Sequence, residues 1–270
     1  MAEKTRASTI AELTAAEQPF ELVPGKVFGR ECLRFKNAPE TLRNLYADAR
    51  SEAPFIVYGD ERLSFAETYA AAARVAHVLV TDYNIERGDR VAISMRNYPE
   101  WILSFMAVTA VGGIAVAMNA LWRPDEMAFG LSDSGAKLLI ADQERLDRFA
   151  DIDPVLNIQV IAVRPDASIH PNLADLVSAY ADVSEMPEQK PQPEDDATLM
   201  YTSGSTGNPK GVASCHINIV SALMSWELDQ TTAIALLPEA PAEPEHPPAT
   251  LLAVPLFHAT GSHAVFLASY

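Results

Sequence analysis

The stretch WILSFMAVTAVGGIAVAMNALW, residues Trp101–Trp122, constrains the fold most, because it carries no charged side chain. It is long enough to cross a bilayer as a single helix. Such a helix would hold Gly112 and Gly113 near its midpoint, where glycine disfavours helical structure. A buried helix, a break at the two glycines and a buried strand at Ile114–Met118 fit the same residues without that cost. The sequence therefore predicts a helix and a strand in the core of a globular protein, with no membrane span.

Short apolar runs elsewhere in the chain predict further strands. They are RVAISM, AKLLIAD, IQVIAV and ATLMYTS, and helical patterns lie between several of them. Alternation of this kind is typical of a parallel sheet covered by helices and joined by right-handed crossovers. The predicted fold class is therefore α/β, with largely parallel sheets flanked by helices.

Three polar patterns predict where helices begin and end. Ser64 with Glu67 three residues later forms a capping box ahead of an alanine-rich helix. Asn97 with Glu100 three residues later, and a proline between them, predicts the start of the next helix. The segment RPDEMAFGLSDSG predicts a short helix that stops at Gly135.

Composition along the chain predicts its organisation. Residues 1–40 are polar and weakly patterned, which indicates an N-terminal extension. Residues 41–190 are predicted to form a first α/β subdomain, and residues 191–270 the start of a second. Two stretches rich in proline and acidic residues, Ser184–Ala197 and Pro238–Ala249, predict a surface linker and an exposed loop.

Charge and cysteine content exclude several classes of protein. The net charge of −16 argues against a nucleic-acid binder, which needs a basic surface, and against electrostatic membrane attachment. The two cysteines, Cys32 and Cys215, are far apart and provide neither a disulfide framework nor a zinc site. The first residues, MAEKTRASTIAEL, contain no apolar segment typical of a secretion signal. We expect a cytoplasmic protein.

The run YTSGSTGNPKGV, residues 201–212, has the composition of an anion-binding loop. Its glycines free the backbone so that successive N–H groups converge on one anion, while hydroxyls and one lysine add donors and positive charge. ATLMYTS before it is interpreted as a strand, and GVASCHINIVSALMSW after it as a helix. The run is therefore predicted to be a strand-to-helix loop that holds a polyphosphate.

Other glycine-rich signatures fit this run poorly. Lys210 lies six residues after Gly204, as in a Walker-type P-loop, but Pro209 replaces the second glycine and Gly211 replaces the Ser/Thr that binds magnesium. The G-x-G-x-x-G pattern of nicotinamide enzymes and the G-x-S-x-G pattern of α/β-hydrolases are both missing.

The run closely resembles the phosphate-binding signature of the adenylate-forming (AMP-binding) superfamily, and the chain most resembles its acyl-CoA synthetases. APFIVYGDERLSFAET, the region from GDRVAISM to AKLLIAD, and PLFHATG at residues 255–261 are similar to other motifs of the family, in family order. The resemblance extends from about Leu42 to the last residue. It implies the N-terminal part of the adenylate-forming fold, truncated before the small C-terminal domain.

The resemblance also implies a reaction and its ligands. A carboxylic acid attacks the α-phosphorus of ATP to give an acyl-adenylate, and a thiol, usually coenzyme A, then accepts the acyl group. His258 would border the acyl and thiol sites with Phe257 as its apolar neighbour. The β- and γ-phosphates would be held by Thr202, Ser203, Gly204, Ser205, Thr206, Gly207 and Lys210.

The family's magnesium-binding glutamate, ribose-binding aspartate and catalytic lysine come after the position of Tyr270. No catalytic residue and no metal ligand is therefore assigned here, and the usual carboxylate ligand of Mg²⁺ lies beyond this chain. We expect the 270 residues alone to be inactive and to self-associate through uncovered sheet edges.

Two other functions stay open. One is an adenylation domain that loads a carrier protein, and the other is a non-catalytic interaction module with the same fold. A fatty or aromatic carboxylic acid is the expected substrate, and a medium- or long-chain fatty acid is favoured on overall similarity. Spacing alone would make His258 a core histidine. His216 is interpreted as a packing or capping residue, Cys215 as a packing residue and His246 as solvated.

Overall fold

The computed structural model describes residues 4–152, 156–202, 209–239, 241–242 and 244–270. The helices in these ranges are α1 (Arg6–Leu13), α2 (Leu42–Asp48), α3 (Phe65–His77), α4 (Pro99–Ala110), α5 (Pro124–Ser134), α6 (Gln143–Ala150), α7 (Leu173–Ser178) and α8 (His216–Ala235). The strands are β1 (Leu22–Val27), β2 (Arg30–Phe35), β3 (Pro54–Tyr58), β4 (Glu61–Ser64), β5 (Arg90–Ser94), β6 (Ile114–Ala117), β7 (Leu138–Asp142), β8 (Gln159–Val163), β9 (Asp196–Thr202) and β10 (Lys210–Cys215).

One six-stranded sheet forms the centre of the molecule. Its strands lie in the order β10-β9-β6-β5-β7-β8, and the pairs from β9 to β8 are all parallel. Only β10 runs antiparallel, along the outer edge of β9. β1 with β2, and β3 with β4, form two separate antiparallel hairpins. The predicted largely parallel α/β sheet is confirmed.

Apolar side chains cover both faces of this sheet. In β5, Val91 and Ile93 belong to a cluster that packs against α2, α3, α4 and α8, whereas Ala92 belongs to a second cluster against α5 and α6. A strand buried on both faces needs a continuous apolar run, which is why RVAISM could be recognised in the sequence. Helix α4 is buried almost throughout, and no helix in the described ranges is both long and apolar enough to cross a membrane.

The predicted signals at Ser64, Gly112 and Gly135 are confirmed. Ser64 Oγ accepts from the Glu67 N–H at 3.1 Å, and Glu67 Oε2 accepts from the Ser64 N–H at 2.8 Å. Gly112, at a φ of 79°, separates α4 from β6. Gly135 ends α5 in the left-handed conformation, with a φ of 60°. Glycine is favoured at both because it carries no Cβ.

The predicted helix start at Asn97 is wrong. Helix α4 begins at Pro99 and its N-cap is Tyr98, without a side-chain cap. Proline favours the first helical position, so the cap falls on the residue just before it. The Glu100 carboxylate accepts from Arg164 Nε at 2.8 Å instead of closing a capping box.

The segments at the edges of the predicted organisation are ordered. Within residues 1–40, α1 and β2 both pack against α8. In the predicted linker, Gln189 Nε2 donates to the carbonyls of Ile85 and Val111, at 3.2 and 2.7 Å, and Met186 is buried. This linker therefore lies on the surface but is tied to the domain. The division at residue 190 stays a prediction, and the strands on either side of it share one sheet.

Candidate functional site

The candidate site lies at the carboxyl edge of the central sheet. Parallel strands end at the same edge, and clefts in α/β proteins open there. Thr202 ends β9 at this edge, and Asn97 follows the end of β5. Asn97 in turn contacts the segment that leads into Phe257 and His258.

The glycine-rich run begins and ends on two paired strands. Thr202 is the pairing partner of Lys210, and Tyr201 that of Gly211. Thr202 Oγ1 also donates to the Lys210 carbonyl at 3.4 Å, and both residues are exposed. The predicted strand-to-helix loop is therefore wrong, because Lys210–Cys215 forms β10 and the helix starts only at His216.

The local sequence explains why β10 was missed. Lys210 to Ala213 are exposed and only Cys215 is buried, so the strand has no alternation of polar and apolar residues. Pairing with the edge of β9 decides its conformation.

Five of the predicted phosphate-binding residues, Ser203, Gly204, Ser205, Thr206 and Gly207, lie outside the described residues. Their roles stay predictions. The structure brings together the residues at the two ends of the run, Thr202 and Lys210.

Tyr201 fastens this hairpin to helix α5. Its hydroxyl donates to Asp133 Oδ2 at 2.7 Å, and its ring lies edge-on to Trp122 with the ring centroids 5.3 Å apart. Burial, and then the Asp133 carboxylate, raise the pKa of the Tyr201 phenol far above its usual value. The phenol therefore stays a donor and holds β9 against α5. This role was not evident from the sequence, although Tyr201 is the first residue of the recognised run.

Phe257 and His258 differ in burial, although they are adjacent in the chain. Phe257 is buried in the larger core cluster, whereas His258 is exposed, with the ring centroids 4.6 Å apart. The core position that spacing alone suggested for His258 is therefore wrong. Within the described ranges, no hydrogen bond joins either residue to Thr202 or Lys210.

The segment around Phe257 and His258 is closely packed. A Cβ on Gly261 would lie 2.2 Å from the Pro255 carbonyl oxygen, so only glycine fits there. The Ser262 N–H and Oγ both donate to the His258 carbonyl at 3.0 Å. A π-helical segment, Thr260–Phe266, follows directly. Such segments are frequent at functional sites.

Two other histidines lie near these elements, His216 fully buried and His263 partly buried. His216, the first residue of α8, accepts the Leu42 N–H on Nδ1 at 3.2 Å, and burial lowers its pKa to about 4. His263 lies 2.9 Å from Ser262 Oγ through Nδ1, and burial likewise lowers its pKa to about 4. The interpretation of His216 as a packing residue is confirmed. Cys215 is also buried, and burial raises the pKa of its thiol.

The exposed ends of the hairpin suit an anion. The Lys210 ammonium and the Thr202 hydroxyl are donors that could face phosphate oxygens. Across the described ranges, no group of three or more His, Cys, Asp or Glu side chains is arranged to hold a metal ion. An Mg²⁺ ion can instead be bound largely through substrate phosphates.

Comparison with known proteins gives relatives that include several acid–CoA ligases. An oxalate–CoA ligase of Arabidopsis thaliana is 31% identical over 239 residues, which are 85% of this chain and 43% of the relative. A long-chain-fatty-acid–CoA ligase of Mycobacterium tuberculosis, FadD13, is 34% identical over 174 residues, which are 62% and 32% of the two chains. The structure of O-succinylbenzoate coenzyme A synthetase from Bacillus subtilis, in complex with AMP, superposes with a TM-score of 0.61 at 27% identity and covers 86% of this chain and 54% of that one.

This chain therefore spans less than half the length of the two curated relatives. The sequence pattern of the family described as "AMP-binding enzyme" matches residues 45–270, which is all of the chain after the N-terminal 44 residues. The chain belongs to the AMP-binding family of adenylate-forming enzymes, and the two curated relatives are acid–CoA ligases.

Proposed function

We propose that this chain forms the nucleotide- and acid-binding part of an ATP-dependent acid–CoA ligase. The observation that carries the proposal is the pairing of Thr202 with Lys210 at the carboxyl edge of the sheet. It holds the two ends of the family's phosphate-binding run together at this edge, where Asn97 also contacts the segment that leads into Phe257 and His258. The match over residues 45–270 supports the same reaction class.

The chemistry requires charge neutralisation and alignment. Attack of a carboxylate on the α-phosphorus brings two anions together, so positive charge and N–H donors around the triphosphate lower the barrier. Lys210 would supply that charge, and Thr202 a hydroxyl donor. Bound Mg²⁺ would neutralise phosphate oxygens further. The fixed hairpin would hold the nucleotide in line with the acid.

The acid and the acceptor are proposed from family likeness. The relatives are named for oxalate and long-chain fatty acids, and the AMP-bound structure for O-succinylbenzoate, so their acids differ widely in size and polarity. A fatty acid remains our favoured substrate because the neighbour of His258 is the apolar Phe257. Coenzyme A is the proposed acceptor, and a carrier protein is the alternative.

Lys210→Ala is expected to weaken ATP binding by about ten- to a hundredfold, because a charge-assisted contact is worth about 1.5–3 kcal/mol. Titration calorimetry with ATP and Mg²⁺ measures it. Lys190→Ala, at an exposed lysine outside the hairpin, is the matched control and should bind like wild type. Equal ATP affinity in the Lys210→Ala and wild-type chains would remove Lys210 from the site.

The inactivity of these 270 residues alone stays a prediction. ATP–pyrophosphate exchange with Mg²⁺ and a panel of acids, including oxalate, 2-succinylbenzoate and decanoate, measures adenylation directly. We expect no exchange. Exchange that depends on an acid and falls in Lys210→Ala would instead identify a minimal adenylating unit.

Self-association also stays a prediction. In the described part of the chain β10 has a partner strand only on its β9 side, and Val212 on it is exposed. Unpaired strand edges of this kind favour pairing between chains. We expect light scattering to show a mass that rises with concentration, and a constant monomer mass would contradict this.

A further inference from the structure

We propose that Asn97 is a positioning residue for the acid-binding side of the site. Its side-chain amide would fix the backbone that carries Phe257 and His258. This inference rests on the proposed function, because it assumes that those two residues border the bound acid. It assigns to Asn97 a role in placing the carboxylic acid and no role in placing ATP.

The geometry is that of a two-point clamp. Asn97 Nδ2 donates to the Val254 carbonyl at 2.8 Å, and Asn97 Oδ1 accepts from the Leu256 N–H at 2.9 Å. One side chain thus satisfies a carbonyl and an N–H of the same extended segment. Phe257 follows directly in the chain.

The amide of Asn97 makes both contacts at once. Asparagine carries a donor and an acceptor on one planar group, whereas aspartate offers acceptors only and leucine neither. In Asn97→Asp the carboxylate would keep the Leu256 N–H but face the Val254 carbonyl oxygen. Asn97→Asp should therefore lose one of the two hydrogen bonds, and Asn97→Leu should lose both.

In the described ranges, Asn97 makes the hydrogen bond between the preceding loop and the rest of the molecule, and Leu252 of the loop packs against the larger core cluster. Apart from Asn97, the hydrogen bonds of residues 244–254 in the described ranges are confined to the loop itself, such as that from the Ala253 N–H to the Leu251 carbonyl at 2.9 Å. The loop is mostly exposed, and Leu251 is 91% exposed. Asn97 also plays no part in capping α4. Its conformation therefore serves the contact with Val254 and Leu256.

The clamp lies on the acid side of the site. Leu256 is 1% exposed and anchors the segment in the core, and the Asn97 bonds set the backbone just before it. The phosphate side is held by other contacts, namely the pairing of Thr202 with Lys210 and the bond from Tyr201 to Asp133. Loss of the clamp should therefore move the acid-binding residues and leave the nucleotide contacts in place.

The test measures the two ligands separately on the 270-residue chain. Binding of decanoate and binding of ATP with Mg²⁺ are measured for wild type, Asn97→Asp and Asn97→Leu. We expect decanoate affinity to fall about tenfold in Asn97→Leu and less in Asn97→Asp, with ATP affinity unchanged. Amide hydrogen exchange should quicken at residues 254–258 while β5 to β7 stay protected.

Asn119→Ala is the matched control, because Asn119 follows the neighbouring strand β6 and its side-chain oxygen accepts, within the described ranges, from the Leu121 N–H of its own turn, at 2.9 Å. It should bind both ligands like wild type. Thermal melting checks that each variant is folded. If Asn97→Leu does not fold, the binding comparison is made with Asn97→Asp.

Each remaining outcome is decisive. Unchanged decanoate affinity in a folded Asn97 variant, or an equal fall in ATP affinity, would overturn the inference while the proposed function stands. A wild-type chain that binds ATP but no decanoate would overturn the acid-binding part of the proposed function, and this inference with it. A wild-type chain that binds neither would overturn the proposed nucleotide site as well.

Discussion

Replacing Gly261 with alanine is expected to lower the free energy of unfolding by about 3 kcal/mol, at the upper end for overpacked sites. The new Cβ would lie 2.2 Å from the Pro255 carbonyl oxygen and 2.7 Å from its carbon. Both are backbone atoms, so no side-chain rotation can relieve the contact. The turn must open, and Phe266 and Leu267, both buried just after it, would shift with it.

Urea unfolding of the 270-residue chain measures this loss. Gly25→Ala is the matched control, since its Cβ would meet Arg34 Cδ at 2.6 Å, on a flexible side chain that can move away. That variant should stay within about 0.5 kcal/mol of wild type. A Gly261→Ala chain as stable as wild type would show that the turn at 255–261 is looser than the structure has it.

Acidification from pH 6.5 to pH 4 is expected to destabilise the chain by about 3 kcal/mol for each of His216 and His263, since a pKa difference of one between the folded and unfolded chains corresponds to about 1.4 kcal/mol. Burial lowers the pKa of both histidines from an ordinary value of 6.5 to about 4. The nearby Asp195 favours the charged form of His216, but burial outweighs it.

The direction follows from proton uptake. Above pH 6.5 both histidines are neutral in the folded and unfolded chains, and their contribution to stability is complete. Between pH 6.5 and 4 the unfolded chain binds protons that the folded chain excludes, so stability falls as the pH falls. Below about pH 4 both states are protonated and this contribution is lost. Carboxylates with lowered pKa, such as Asp89 and Asp195, act mainly below this window.

Urea unfolding at a series of pH values between 4 and 7.5 measures the slope. His216→Gln and His263→Gln should each reduce the slope of the free energy of unfolding against pH by the contribution of the histidine removed. Any effect on stability at neutral pH is separate from this change in slope. His246→Gln changes a histidine in the exposed loop and is the control. If the slope is the same with and without these two histidines, they do not govern acid stability.

Strands β5 to β9 and several helix ends could be predicted because local patterns specify them. β5 to β9 are apolar runs at strand length, since each is packed between two helical layers. Ser64 with Glu67, and Gly135, act through their own neighbours in the chain. The family resemblance of residues 201–212 likewise depends only on the residue types in that run, and the family match over residues 45–270 confirms it.

Contacts between distant parts of the chain decided the rest. β10 is exposed and unpatterned, and it is a strand because the edge of β9 pairs with it. Asn97 matches the sequence pattern of a helix N-cap, but its side-chain amide instead donates a hydrogen bond to the Val254 carbonyl, 157 residues away. Of two histidines five positions apart, His258 is exposed and His263 is packed against Phe105.

The sequence alone thus determined the fold class, the family and the run that carries the family's phosphate-binding signature, because these depend on short-range patterns of burial and composition. Only the tertiary structure decided which polar groups support the site. A polar side chain gains similar free energy from a hydrogen-bond partner nearby in the sequence and from one distant in the sequence. Tertiary packing alone therefore decides which partner it takes.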